Sequence, residues 1–160
     1  MNPTKNDIPA KKRSALCNLL NQRLVDLLDL GLQAKQAHWN VKGPQFISLH
    51  ELFDSVASDV SGFVDDVAER ITALGGTAEG TLQVVSKRTS LKSYPTDITR
   101  GRDHVDALST AMAHVGKLVR AAIEQAVKLE DADTADLFTG ISRELDKKLW
   151  FVEAHLQNDK

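Results

Sequence analysis

The sequence has a single cysteine, Cys17, so no disulfide forms within the chain, and a reducing compartment is the expected setting. No hydrophobic run approaches the roughly 20 residues that cross a bilayer. The opening "MNPTKNDIPAKKRS" has no apolar stretch of the kind a secretion signal needs. Neither sign of charge dominates. With 20 Lys+Arg against 22 Asp+Glu, the net charge of −2 excludes a protein that is basic all over and binds nucleic acid with its whole surface. No segment alternates with strand period over a useful length, and no segment repeats. These exclusions leave one all-α domain of 160 residues, long enough to bury a core, expected to be soluble and cytoplasmic without a membrane partner.

Proline is also scarce, and its four positions, 3, 9, 44 and 95, all lie outside the periodic stretches. The chain therefore divides readily. A first helix is expected over residues 11–41, with Leu16, Leu20, Leu24, Leu27 and Leu28 as its apolar stripe. "KGPQ" ends it, since Gly43 suits a C-terminal cap and Pro44 can open the next helix. A second helix is expected over 45–74, stopped by Gly75-Gly76. Residues 77–99 read as a crossover holding at most one short helix. A third helix is expected over 101–129 and a fourth over 132–156, with Asp131 or Asp133 as its N-cap. Two helical hairpins joined by one long crossover have the connectivity of a ferritin-like four-helix bundle. Residues 1–10 are expected to form a flexible arm and residues 11–160 the domain.

The second helix carries two stripes. Leu49, Phe53, Val56, Val60, Phe63, Val67, Ile71 and Leu74 recur at steps of three and four, the mark of one buried face. His50, Asp54, Asp65 and Glu69 fall within an arc of ~100° centred ~145° away, so they face out of the bundle. They form two i, i+4 pairs of metal-ligand type, but eleven residues of helix separate the pairs by roughly 16 Å. No single small metal site is that wide.

A two-fold axis removes the difficulty. If this face packs antiparallel against a second copy about residues 59 and 60, His50 and Asp54 of one chain lie opposite Glu69 and Asp65 of the other. A self-complementary contact of this kind makes two identical composite sites. Ala57, Ser58, Ser61 and Gly62 between the pairs are small enough to let the helices approach. His38 is as far before the turn at Pro44 as His50 is after it, which places it at the same height. Two imidazoles and three carboxylates suit iron, and tolerate zinc or manganese. Any of these residues alone reads as readily as a solvated surface side chain.

The segments "KQAHWNVKGPQFISLHELFD", "DDVAERITALGGTAEGTLQVVSKRTSLKSYP" and "EDADTADLFTGISRELDKKLWFVEAHL" resemble the Dps family, small members of the ferritin superfamily. The resemblance implies ferroxidase ligands His38, His50 and Asp54 from one chain with Asp65 and Glu69 from its two-fold partner. It implies a hollow homo-dodecamer built from such dimers, which oxidises Fe(II) with hydrogen peroxide and stores the ferric mineral, protecting DNA. It also implies a radical-intercepting role for Trp39, which packing at the dimer interface would explain equally well. The acidic run Glu130, Asp131, Asp133 and Asp136 has two readings: acidic residues favour a helix N-terminus, the reading taken for Asp131, while the resemblance implies acidic pores that admit Fe(II), with Asp133 and Asp136 as candidates to line them and Glu51 as a candidate for mineral nucleation on the inner wall.

Some members of the family condense DNA through a long lysine-rich arm. Here only Lys5, Lys11, Lys12 and Arg13 precede the helical pattern, so any DNA binding is expected to be weak and indifferent to sequence, and the last three residues read equally as a solvated first helical turn. Two rival functions are weighed against iron oxidation. A di-iron site within one chain would use Glu-x-x-His motifs, and the sequence has none. A DNA-compacting protein with vestigial metal ligands would not need all five.

Overall fold

The structure, a computed structural model, describes residues 1–157. The expected helices appear within three residues at every end: α1 Ala10–Asn40, α2 Phe46–Ala73, the short α3 Leu82–Arg88 within the crossover, α4 Gly101–Lys128 and α5 Ala132–Glu153. Among the described residues there is no strand, only an isolated bridge in which the Lys42 N–H donates to the Thr99 carbonyl at 2.9 Å. This bridge pins the end of the crossover beside the α1–α2 turn.

Helix ends follow from backbone bookkeeping. Gly75 adopts φ +83°, its N–H donates to Thr72, and the Gly76 N–H reaches Ile71, which satisfies the orphan carbonyls of α2. α4 ends in the same bonding pattern, but Glu130 takes the left-handed position with φ 59°. Asp131 is the N-cap residue of α5, as expected by position. Its carboxylate, however, is turned to Arg70 of α2, at 2.9 and 2.8 Å, and to the Thr134 hydroxyl. Burial alone would raise the Asp131 carboxyl. The Thr134 and Arg70 hydrogen bonds outweigh it and hold the group below its ordinary range.

α1 packs on α2 and α4 on α5, each pair an antiparallel hairpin, and the hairpins close on one apolar core. Leu16, Leu20, Leu24 and Leu27 of α1 are fully buried, while Leu28 is only partly so. On α2 the expected stripe is buried throughout except Phe63, which is half-buried. Cys17 packs in this core against the Ile71 carbonyl and Gly76, and burial pushes its thiol upward.

Of residues 1–10, expected as a flexible arm, Ala10 already opens α1, and the stretch before it lies against the end of the bundle. The Asn2 N–H donates to the Gly75 carbonyl at 2.6 Å, and Ile8 packs on the core. Arg13 joins the two, its guanidinium donating to the Ile8 and Leu74 carbonyls at 2.9 Å each.

Candidate metal centre

The α1–α2 hairpin places His38 near the end of α1 and His50 in the second turn of α2. Their rings stack with centroids 3.7 Å apart and planes 24° from parallel. Each ring reaches across to the other's backbone: His38 Nδ1 lies 2.7 Å from the His50 carbonyl oxygen, and His50 Nδ1 lies 2.8 Å from the His38 carbonyl oxygen. A carbonyl only accepts, so both Nδ1 atoms carry the proton. In the neutral rings both Nε2 atoms then keep a lone pair, the form in which imidazole binds a metal. The His38 carbonyl is also one of the unsatisfied acceptors of the last turn of α1, so the same bond closes the helix end.

One turn further along α2, Asp54 is exposed and accepts a hydrogen bond from Lys35 Nζ at 2.6 Å. This bond holds the Asp54 carboxyl below its ordinary range. His38, His50, Glu51, Asp54, Ser55 and Ser58 line one open groove. Lys35 was not anticipated from the sequence. The height argument that levels His38 with His50 about Pro44 also levels Lys35 with residues 53 and 54, and could have found it. The Lys35 ammonium also sits 5.8 Å from the centre of the Trp39 ring, which is 64% exposed.

Asp65 and Glu69 are exposed on the same helix, beyond Ser58, Ser61 and Gly62, which are exposed as well. Ala57 of that small-residue set is instead buried. Among the described residues of one chain, no three His, Cys, Asp or Glu side chains are grouped to hold a metal. Glu69 shares a shallow depression with Asp66, Arg70, Asp133 and Asp136, so the two acidic residues assigned to a pore stand on one surface with a residue assigned to the metal. Asp133 is exposed, with Arg70 Nη1 3.8 Å away.

Beside the metal groove, an apolar groove of about 690 Å³ runs between α1, α2 and α3, lined by Leu28, Leu32, Ala57, Val64 and Leu82. Leu32 and Leu82 are 54% and 70% exposed. At the N-terminus, Lys12 pairs with Glu130 and Arg13 is held by the carbonyls already described. Among the described residues, Lys5 and Lys11 enter no ion pair.

The bundle connectivity and this groove define a ferritin-like protein, and residues 17–160 match the family model described as a ferritin-like domain. The chain is 50% identical over 154 residues to the DNA protection during starvation protein of Agrobacterium fabrum, covering 96% of this chain and 95% of that one. It superposes on Mycobacterium smegmatis Dps with a TM-score of 0.93 and 36% identity, covering 98% and 96% of the two chains. A Vibrio cholerae Dps protein, described as a member of a broad superfamily of ferritin-like diiron-carboxylate proteins, matches with a TM-score of 0.90 and 25% identity over 98% of each chain. The chain belongs to the Dps family. No helix of the described residues is long and apolar enough to cross a membrane.

Proposed function

We propose that the chain is an iron-storing ferroxidase that protects DNA by consuming Fe(II) and hydrogen peroxide together. The Vibrio relative's description as a diiron-carboxylate protein supports iron as the metal. One observation carries the reading: His38 and His50 fix each other's Nδ1–H, so both present Nε2 lone pairs beside Asp54.

In this reading His38, His50 and Asp54 form half of each site, and Asp65 and Glu69 of a two-fold partner complete it. The absence of any metal-holding group of three within one chain, among the described residues, agrees with a site divided between chains. The exposed leucines of the neighbouring groove favour pairing of this face, because an apolar surface of that kind gains free energy when covered. Twelve such chains would form the hollow shell. Asp133 and Asp136 would line its entry pores, Glu51 would nucleate mineral, and Trp39 would lie within reach of radicals from the site.

The chemistry asks for two metal positions. Hydrogen peroxide takes up two electrons and two protons to become two waters, and each Fe(II) supplies one electron. Iron is substrate here, and the protein holds two ions close enough to serve one oxidant. DNA association, where it occurs, would rest on Lys5 and Lys11, because Lys12 and Arg13 are engaged within the chain.

Stopped-flow Fe(II) oxidation with peroxide, followed by sizing of the iron-loaded particle, tests the proposal. His50→Ala with Asp54→Ala should slow oxidation by at least tenfold while helix content and particle size persist, since both side chains lie outside the bundle core. Unchanged kinetics in an intact double variant would remove this pair from the mechanism.

A further inference from the structure

A cavity of about 400 Å³ lies between the crossover and α4, and it shares no lining residue with the metal groove. Ala107 and Ala111, four residues apart on one face of α4, form one wall. With no atoms beyond Cβ, they leave that wall flat. Leu91, Tyr94 and Pro95 of the crossover form the other. The Tyr94 hydroxyl is engaged by Nδ1 of the buried His104 at 2.8 Å, so its ring lines the cavity while its polar end is occupied. Gln33 of α1 also lines the cavity, and its amide nitrogen donates to the Lys92 carbonyl at 3.0 Å and to Asp29 at 3.2 Å. These bonds tie the crossover wall to α1, so the slot exists before any ligand arrives.

One polar group of the cavity has a defined state. Asp26 is fully buried, and its Oδ1 accepts both the N–H and the hydroxyl of Ser90, at 3.0 and 2.8 Å. Arg23 holds the other carboxylate oxygen at 2.8 Å. A hydroxyl has one hydrogen, so Ser90 can only accept from His114, whose Nε2 lies 3.1 Å from Ser90 Oγ. In the neutral ring of His114 the proton is therefore on Nε2 and Nδ1 keeps a lone pair, the reverse of His38 and His50. Among the described residues that Nδ1 has no partner. Lys92, Ser93 and Thr110 also line the cavity, but all three are exposed and already bond water.

We propose that this cavity binds a small planar aromatic molecule bearing one O–H or N–H donor: the ring enters the slot between the two alanines and Tyr94–Pro95, and His114 Nδ1 accepts the donor. The apolar walls select a flat ring over a sugar or a polar chain, whose groups would lose water without finding partners. The single acceptor selects a donor-bearing ring over a hydrocarbon. Asp26 and Ser90 act through His114 and are positioning residues. The proposal does not rest on the iron-oxidising reading, since none of these residues belongs to the metal groove.

Fluorine NMR on the assembled protein tests this, with para-fluorophenol as the probe and para-fluoroanisole, the same ring without a donor, as its control. Wild type should bind the phenol saturably and the anisole about three- to tenfold more weakly, the scale of one neutral hydrogen bond. His114→Phe should remove that preference by weakening the phenol alone. Ser90→Ala, which frees the imidazole to present either nitrogen, should weaken the phenol less than His114→Phe does. Ala111→Leu, whose side chain fills the slot, should abolish binding of both probes, with circular dichroism and sizing confirming assembly. Absence of saturable binding to wild type would overturn the site, as would binding that persists in an assembled Ala111→Leu particle. Equal affinity for the two probes, or a His114→Phe variant that still prefers the phenol, would overturn the role of Nδ1 and the ligand class with it.

Discussion

The hydroxyl of Tyr94 and Nδ1 of His104 lie 2.8 Å apart, a bond that fastens the crossover to the first turn of α4. His104 is 1% exposed. Burial holds its imidazole below the ordinary histidine range, while the backbone of Ile98 and Asn40 and the charge of Asp103 pull the other way. Burial pushes the Tyr94 phenol in the opposite direction, above its ordinary range.

A depressed folded-state value means that, as pH falls through about 6.5, the unfolded chain takes up a proton that the folded chain refuses. His104 therefore contributes stability that is complete above that pH and is lost as pH falls towards its folded value. Denaturant midpoints measured between pH 7.5 and 5 should fall more steeply for wild type than for His104→Phe. Equal slopes would show that His104 does not contribute.

Arg70 is the second structural anchor, since it spans from α2 to a carboxylate that is 4% exposed. Arg70→Met leaves that carboxylate buried without its cation, which should cost about 3–5 kcal/mol in chemical denaturation. The Asp131 carboxyl is held low, so its contribution is present above about pH 3.8 and disappears as pH falls through the lower folded value. Wild type and Arg70→Met should therefore converge in stability in that acid range. A constant gap down to pH 2 would contradict the assignment.

Gly62 separates the fold of one chain from the pairing of two. A Cβ at this position meets nothing within 4 Å in the single chain, so Gly62→Leu should cost the helix bundle little. In the proposed dimer position 62 comes level with position 57 of the two-fold partner, so the added leucine would press on the facing helix close to the axis. Light scattering should find smaller particles with full helix content, and Fe(II) oxidation should fall in parallel. A Gly62→Leu shell of wild-type size would place the dimer contact elsewhere.

For DNA the expected outcome is weak, sequence-independent binding at low salt, largely lost near 150 mM, because few cations are available per chain and counterion release sets the affinity. Lys5→Ala with Lys11→Ala should weaken it further in gel shifts across a salt series. Tight binding that survives both substitutions would locate the DNA surface elsewhere on the particle. This pair of substitutions is a cleaner probe than deleting residues 1–13, which would also remove the Arg13 hydrogen bonds to Ile8 and Leu74.

The sequence by itself determined the helices and the face each one buries. Steps of three and four in α2, with Gly43 and Gly75 at breaks in the pattern, are local facts that survive in any tertiary setting, because helix period and left-handed backbone depend on near neighbours. The outward placement of His50, Asp54, Asp65 and Glu69 was legible for the same reason, and equal distance from Pro44 sufficed to level His38 with His50.

Only the tertiary structure decided what those side chains touch. No sequence period says that each histidine ring bonds the other's carbonyl, that Lys35 holds Asp54, or that Asp131 serves Arg70 of another helix as well as Thr134 in the first turn of its own. The arm shows the same division. It was expected as a flexible arm, yet Asn2 is bonded to Gly75, and Arg13 bonds both the Ile8 carbonyl and that of Leu74, more than sixty positions away. Such partners are chosen by which groups reach hydrogen-bonding distance once the helices have packed, and that depends on distances in space that order along the chain does not encode.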